Sequence, residues 1–179
     1  MPVLAGPAAW NAILGPQPAR PALEGANTTD VVIIGAGFGG LSAARRLRQL
    51  QPGARVIVLE AGRVVEGSSG RNSGFMIDLP HDLASDDYAG SGDDRALIAV
   101  NRHGIGFARE AVEEYGIDRN YFDPAGKVNG AVSAKALAHN ESYARHLASL
   151  GERSEMLDAR QMAEMTGSQH YRGGLYTPG

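Results

Sequence analysis

DVVIIGAGFGG (residues 30–40) is the stretch of this 179-residue chain that decides its fold. It joins a continuous apolar run, as a parallel strand covered on both faces requires, to a glycine-rich turn. Residues 41–50 then carry apolar side chains at helical spacing, and Pro52 and Gly53 stop the helix. RVIVLE (residues 55–60) returns as a second apolar strand. This order predicts a βαβ unit.

Three glycines of the turn, Gly35, Gly37 and Gly40, fit the spacing G-x-G-x-x-G. Gly35 permits a tight turn, Gly37 lets the backbone approach a pyrophosphate, and Gly40 lets the helix pack close to the strand. The start of the helix offers free N–H groups and a positive dipole end to phosphates. Glu60 ends the second strand, where a carboxylate can accept hydrogen bonds from the adenosine ribose. The motif predicts dinucleotide binding, and a plain βαβ unit with a glycine turn is the alternative.

A second glycine-rich segment, GSSGRNSG (residues 67–74), follows the second strand. It leaves the sheet at the carboxyl ends of the strands, on the side of the first glycine turn. Its hydroxyls, free amides and Arg71 suit a long, extended cofactor with a charged pyrophosphate. A flexible surface linker is the alternative, but a linker needs neither Arg71-Asn72 between its glycines nor the apolar residues 75–77 directly after them.

Together these motifs resemble the N-terminal part of the D-amino-acid oxidase-like flavoproteins. That superfamily includes glycine and sarcosine oxidases, D-amino-acid dehydrogenases and γ-glutamylputrescine oxidoreductases, and the segment GRNSG (residues 70–74) is most similar to the last group. The resemblance runs from Thr29 to the end of the sequence and is specific over residues 30–74. It implies an α/β fold: a Rossmann-like βαβ FAD-binding domain with added helices and the start of an antiparallel substrate-domain sheet.

The resemblance also implies which residues contact FAD. The first turn would contact the pyrophosphate through Gly35, Ala36, Gly37, Phe38, Gly39 and Gly40. Glu60, followed by Ala61, would hold the adenosine ribose. The second segment would run toward the flavin ring through Ser69, Gly70, Arg71, Asn72, Ser73 and Gly74. No histidine lies between Gly35 and Gly74, so we expect a noncovalent flavin.

The activity that the resemblance implies is oxidation of the C–N bond of an amino acid or amine by hydride transfer to flavin. Such a reaction needs no protein nucleophile, so we assign no catalytic residue here and expect the group that clamps the substrate carboxylate after Gly179. Two alternatives stay open: an NAD(P)-dependent reductase that uses the same βαβ unit, and a noncatalytic flavin-fold assembly subunit. Glu60 would serve the ribose of either cofactor.

Composition excludes several kinds of partner and of functional site. The net charge of -3 indicates neither nucleic acid nor a membrane surface as a partner, and no run approaches the roughly 18 apolar residues of a membrane span. The absence of cysteine excludes disulfides, thiolate metal sites and cysteine-linked flavin, and it is compatible with a cytoplasmic protein. His103 and His139 have no ligand-like partners at metal spacing, so we predict no metal site.

The chain is expected to fall into three segments. Residues 1–28 are expected to form a proline-rich arm that lies over the surface, without a regular element across the segment, and to dock through Trp10, Ile13 and Leu14. A disordered tail is the alternative. Residues 29–92 form the FAD-binding βαβ unit and its cofactor loop, and the polar end of this segment would cross the mouth of the site. His81 is the best-placed titratable group there, and a surface histidine without a role is the alternative. Residues 93–179 form a helical region and the start of a substrate-binding domain. The elements expected there are helices over 93–115 and 133–150, two strands around the Pro124–Gly126 turn, a strand over 155–157, a helix from Asp158, and a strand over 173–179.

The sequence also predicts caps and facing residues for these helices. Asp93 or Asp94 would cap the first helix, Gly116 would end it, Gly151 would end the second, and Asp158 would cap the third. The apolar stripe of the first helix would consist of Leu97, Val100, Ile105, Ala108, Val112 and Tyr115. Met162 and Met165 would point inward, and His146 would lie at the surface.

The last of these strands raises the question of completeness. If it formed an unpaired sheet edge, the chain would carry a feature that natural proteins usually avoid. We therefore expect either an N-terminal piece of a longer flavoenzyme or one subunit of a split enzyme that a second polypeptide completes. In either case the chain alone is expected to be inactive.

Overall fold

The computed structural model describes residues 6–15, 20–64, 66–80 and 93–179. The chain divides into two compact units, Met1–Phe75 and Met76–Gly179. His81 lies outside the described residues, with the rest of the segment from 81 to 92. Within the described ranges, no helix is long and apolar enough to cross a membrane.

The first unit begins with a short helix, α1 (Ala9–Leu14), where the sequence predicted no regular structure. That prediction rested on prolines, but residues 9–14 contain none. Gly15 ends the helix with φ 77°, a backbone conformation that favours glycine. The prediction was therefore wrong for this part of the arm. It was also wrong for two of the three predicted docking residues, since Ile13 and Leu14 are 64% and 51% exposed.

The predicted βαβ unit is confirmed. It consists of β1 (Val31–Ile34), α2 (Phe38–Leu50) and β2 (Val56–Leu59). The two strands are parallel, with Val31 opposite Val56 and Ile34 opposite Leu59. Gln51 follows α2 and donates its backbone N–H to the carbonyl of Leu47 at 2.8 Å.

The expectation that β1 is covered on both faces is wrong for the described residues. Side chains of β1 alternate in exposure, and Ile34 remains 88% exposed and Val32 51% exposed. The reason is that α2 packs against β1 and β2, and one helix can cover only one face of a sheet. Within the first unit, α2 therefore leaves the face of β1 that carries Val32 and Ile34 uncovered.

Gly40 sets how closely α2 approaches β1. A Cβ atom added to Gly40 would overlap the backbone carbonyl of Gly35 and lie 3.3 Å from Cγ2 of Ile33. The carbonyl belongs to the turn and cannot swing away as a side chain could. The close packing that the motif predicted at Gly40 is thus a hard steric requirement.

The described residues of the second unit form three α-helices and a three-stranded sheet. Its elements are α3 (Asp94–Tyr115), β3 (Lys127–Ala131), α4 (Ala134–Leu150), β4 (Glu155–Asp158), α5 (Ala159–Thr166) and β5 (Gly173–Thr177). The sheet is antiparallel, in the order β3-β5-β4. The predicted α/β fold with added helices and a small antiparallel sheet is confirmed.

Capping residues define the helix ends of this unit. Asp93 and Ser133 accept hydrogen bonds from the backbone at the starts of α3 and α4. Asp158 and Gln161 form a capping box on α5. Gly116 and Gly151 end α3 and α4 in the left-handed conformation. These signals are local, which is why the sequence displayed them.

Two strand predictions need correction. The turn at Pro124–Gly126 does not join two strands, because only β3 follows it and a 3-10 turn (Arg119–Tyr121) precedes it. The strand β5 is not an edge but the centre of its sheet, since Thr177 pairs with Lys127 on one side and Tyr176 pairs with Glu155 on the other. Both errors arise from pairings between strands far apart in the sequence.

The core of the second unit lies between the helices and the sheet. Its buried residues are Leu79, Ile98, Tyr143, Leu147 and Leu175. The predicted stripe of α3 is wrong at Leu97, Val100 and Tyr115, which are 46%, 68% and 61% exposed, since the helix turns Ile98 inward instead. On α5 Met162 is buried as predicted, whereas Met165 is 54% exposed.

His146 was interpreted as a surface position, but it is half-buried. Its Nε2 lies 2.8 Å from Oδ2 of Asp94, in the first turn of α3. Arg95 also joins these helices by donating to the carbonyls of Leu150 and Ser149, at 2.8 and 3.1 Å. Polar side chains of α3 and α4 thus hold the two helices together.

We predict that Gly40→Ala lowers the free energy of unfolding by about 1–3 kcal/mol, because the new methyl group meets a backbone carbonyl. The measurement is chemical denaturation. Gly39→Ala is the matched control in the same helix, since a Cβ atom there meets nothing within 4 Å. It should be neutral or stabilising by up to about 1 kcal/mol. Equal effects of the two substitutions would contradict the steric argument.

Candidate functional site

The carboxylate of Glu60 joins the first glycine turn to the end of β2. Its Oε2 accepts a hydrogen bond from the backbone N–H of Ala36 at 2.7 Å, and its Oε1 accepts one from Gly62 at 2.9 Å. The Ala36 bond, followed by the Gly62 bond, lowers the pKa of Glu60 below its ordinary value. The residue therefore places a stable negative charge beside the turn.

The start of α2 is brought together with the second glycine segment. Gly37 is the N-cap residue and has no side chain to cap the helix. The hydroxyl of Ser69 accepts a hydrogen bond from the backbone N–H of Phe38 at 3.1 Å instead. A Cβ atom on Gly37 would lie 2.7 Å from this hydroxyl oxygen. The missing side chain of Gly37 is thus what allows the two glycine-rich segments to meet.

The second segment is shaped by its own short hydrogen bonds. Ser68–Gly70 forms a 3-10 turn. The amide of Asn72 donates to the carbonyl of Ser69 at 2.6 Å, and the side-chain oxygen of Asn72 accepts from the N–H of Gly74 at 2.7 Å. Gly74 has φ 80°, a conformation that other residues rarely adopt.

Arg71 turns toward the N-terminal segment of the chain. Its Nε donates to the carbonyl of Glu66 at 3.0 Å, and its Nη2 donates to the carbonyl of Gly6 at 2.7 Å and to the Glu66 carboxylate at 3.3 Å. The guanidinium of Arg71 therefore donates at least three hydrogen bonds to groups of the protein.

Sequence reasoning missed Glu66. Its carboxylate accepts hydrogen bonds from the side chain of Asn11 at 2.8 Å and from the backbone N–H of Ala8 at 3.2 Å. The Asn11 bond, then the Ala8 bond and the charge of Arg71, lower the pKa of Glu66 below its ordinary value. The one available signal was an acidic residue directly ahead of a glycine-serine segment that contains an arginine.

Of the predicted site residues, Ala36 and Phe38 of the first turn thus form hydrogen bonds with Glu60 and Ser69, respectively. Backbone N–H groups at a helix start attract phosphate oxygens, and an ionised carboxylate accepts hydrogen bonds from ribose hydroxyls. Ala61 follows Glu60 directly and is exposed. In the described part of the chain, no three acidic or histidine residues lie together in a way that could hold a metal ion.

Comparison with known proteins identifies relatives of this arrangement. A family model described as FAD dependent oxidoreductase matches residues 30–179. The chain is similar to γ-glutamylputrescine oxidoreductase of Escherichia coli (strain K12), with 33% identity over 152 residues, which are 83% of the chain and 34% of that protein.

Solved structures share the fold at lower sequence identity. Glycine oxidase from Bacillus cereus matches with a TM-score of 0.66 and 20% identity, over 84% of this chain and 39% of that one. L-amino acid deaminase from Proteus myxofaciens matches with a TM-score of 0.64 and 20% identity, over 89% of this chain and 34% of that one. The chain therefore spans little more than a third of the length of these proteins.

We predict that Glu60 makes stability depend on pH in the acidic range. Because its pKa is lower in the folded than in the unfolded chain, its contribution is present above the unfolded pKa and is lost as pH falls through the folded pKa. Glu60→Gln cannot titrate, so its free energy of unfolding should fall less steeply between about pH 6 and pH 3 than that of the parent. Chemical denaturation at several pH values measures this slope.

The exposed Glu24 of the same unit supplies the control for this measurement. Glu24→Gln makes the same change of net charge, so the comparison separates the local effect of the Glu60 hydrogen bonds from the effect of net charge. A Glu60→Gln slope that equals the parent slope would contradict the role of the two backbone hydrogen bonds.

Proposed function

The chain belongs to the family of FAD dependent oxidoreductases, and from that premise we propose that it forms the adenosine- and pyrophosphate-binding part of an enzyme that oxidises the C–N bond of an amino acid or amine. The names of its relatives support this class, because a γ-glutamylputrescine oxidoreductase, a glycine oxidase and an L-amino acid deaminase are among them. The particular amine or amino acid is left open by this proposal.

One observation carries the FAD part of the proposal: the Ser69 hydroxyl meets the N–H of Phe38 at the start of α2. A dinucleotide needs a phosphate cradle, and FAD needs in addition a path toward its ring. The first turn supplies the cradle, where Gly39 leaves open space around its Cα. The second segment, held against the same helix start, supplies the path. The residues present therefore fit the group.

We propose the following roles for the predicted residues. The pyrophosphate would lie against the backbone of Gly35, Ala36, Gly37, Phe38, Gly39 and Gly40. Glu60 and Ala61 would lie beside the adenosine ribose, with the lone pairs that Ala36 and Gly62 leave on the carboxylate accepting the hydroxyls. The ring half would follow Ser69, Gly70, Arg71, Asn72, Ser73 and Gly74.

FAD, when bound, supplies the acceptor for a hydride from the carbon next to nitrogen. The contribution of this chain is to bind and orient the nucleotide half of that cofactor. The carboxylate of Glu60 stays ionised at neutral pH because backbone N–H groups stabilise its charge. It can therefore accept hydrogen bonds throughout the reaction and does not act as an acid.

We also propose that the enzyme has a part outside this chain. The chain covers 34% of the length of its E. coli relative and 39% of the B. cereus structure. We propose that groups beyond residues 1–179, on the same or on a second polypeptide, hold the substrate and the flavin ring. The 179-residue chain alone would then bind FAD weakly and turn over no substrate. A cytoplasmic location stays a prediction from composition.

We predict that the chain binds FAD saturably and that Gly37→Val weakens this binding at least about ten-fold, equivalent to 1.4 kcal/mol. The branched side chain would displace Ser69 from the helix start. Titration of FAD followed by flavin fluorescence measures both affinities. Gly53→Ala, in the turn that follows α2 and with open space around it, is the control and should bind as the parent does.

Two outcomes of this titration would contradict the proposal. Equal affinities of Gly37→Val and the parent would remove Gly37 from the site. Saturable binding of NADH by a chain that does not bind FAD would favour the NAD(P)-dependent alternative.

We predict that the complete protein loses its blue flavin absorbance when an amine substrate is added without oxygen, because the cofactor is reduced. A panel of D-amino acids, N-methyl amino acids and γ-glutamyl polyamine conjugates tests the substrate class. The 179-residue chain loaded with FAD is the control and should stay oxidised. A preparation of this chain alone that turns over an amine would contradict the proposed division of the enzyme.

A further inference from the structure

The strongest unexplained feature of the first unit is the attachment of α1 to the loop formed by residues 66–74. A six-residue helix is far too short to be stable by itself in water. Four hydrogen bonds nevertheless join the segment Gly6–Asn11 to this loop: those of Ala8 and Asn11 with Glu66, of Gly6 with Arg71, and of Trp10 with Asn72. Contacts with the loop, and not helix propensity alone, therefore stabilise α1.

The polar part of the attachment is centred on Glu66. Its two carboxylate oxygens accept from both the α1 segment and Arg71, so the same charge binds the arm and the loop. Arg71 in turn bridges the Glu66 carbonyl and the Gly6 carbonyl. Removal of either side chain would leave polar groups of both segments without these hydrogen bonds and would weaken the attachment.

The apolar part is formed by Trp10. Its indole N–H donates to the carbonyl of Asn72 at 2.9 Å. Its ring covers Gly74 so closely that a Cβ atom on Gly74 would lie 2.7 Å from Cζ2 of Trp10. Gly74 is held in a left-handed conformation directly beneath this ring. The single tryptophan of the chain thus fixes the far end of the loop.

We propose that α1 is a clasp that fixes the shape of loop 66–74, with Trp10, Glu66 and Arg71 as positioning residues for the cofactor. This inference rests on the proposed function, because the loop is taken to follow the cofactor. The guanidinium of Arg71 then acts on cofactor binding through the shape of the loop. Ser69, at the other end, stays aligned with the start of α2 because the clasp holds the residues around it.

The test compares two alanine substitutions on the same helix of the full 179-residue chain. Trp10→Ala removes the ring and its hydrogen bond, whereas Ile13→Ala changes a side chain that is 64% exposed. Hydrogen–deuterium exchange of the amides in residues 66–74 should speed up about ten-fold in Trp10→Ala and stay unchanged in Ile13→Ala. The affinity for FAD should fall at least about three-fold in Trp10→Ala only.

A conservative variant separates positioning from folding. Trp10→Phe keeps an aromatic ring over Gly74 and should restore most of the exchange protection and of the FAD affinity. Faster exchange in Trp10→Ala at unchanged FAD affinity would overturn the positioning role. Unchanged exchange would overturn the clasp itself.

The exchange measurement needs no cofactor, so it decides on the clasp even for a chain that binds no FAD. In that case the proposed function fails, and with it the link between loop and cofactor. If FAD binds to the parent but Trp10→Ala and Ile13→Ala behave alike, only the clasp fails. The two failures are therefore distinguishable.

Discussion

The close approach of α2 to β1 is the constraint on which the first unit depends. The helix can start where it does only because Gly40 presents no side chain to the carbonyl of Gly35. With the helix in that place, the N–H of Phe38 is within reach of Ser69, and the turn brings the N–H of Ala36 to Glu60. One absent methyl group thus determines which polar groups surround the candidate site.

The features of the fold that could be predicted are those with a local signal in the sequence. Asp93 and Ser133 cap helices, and Gly116 and Gly151 end them, within a few residues of the patterns that announce them. The glycine turn and Glu60 likewise belong to one βαβ unit with fixed spacing. Features that depend on distant neighbours were not predicted. For example, Ile98 is buried, whereas Leu97, which was predicted to face the core, is 46% exposed. Both lie on the same helix, and only the packing partner decides between them.

The candidate site shows the same division. Residues of the two glycine segments were predicted, because glycine, serine and acid at a given spacing have a direct chemical meaning. The bond between Glu66 and Asn11 joins residues 55 positions apart, and neither residue belongs to a motif. Carboxylates and amides form such pairs on many protein surfaces. The sequence around Glu66 or Asn11 therefore does not indicate which residue each of them pairs with.

The central position of β5 has a consequence for how the second unit is made. Both β3 and β4 find their partner in β5, although β5 follows both of them in the sequence. During synthesis from the N-terminus, these two strands must therefore wait, unpaired, until residues 173–177 have left the ribosome. The helices α3 and α4 can form earlier from their own local contacts. Assembly of this sheet is thus a late event, governed by its last strand.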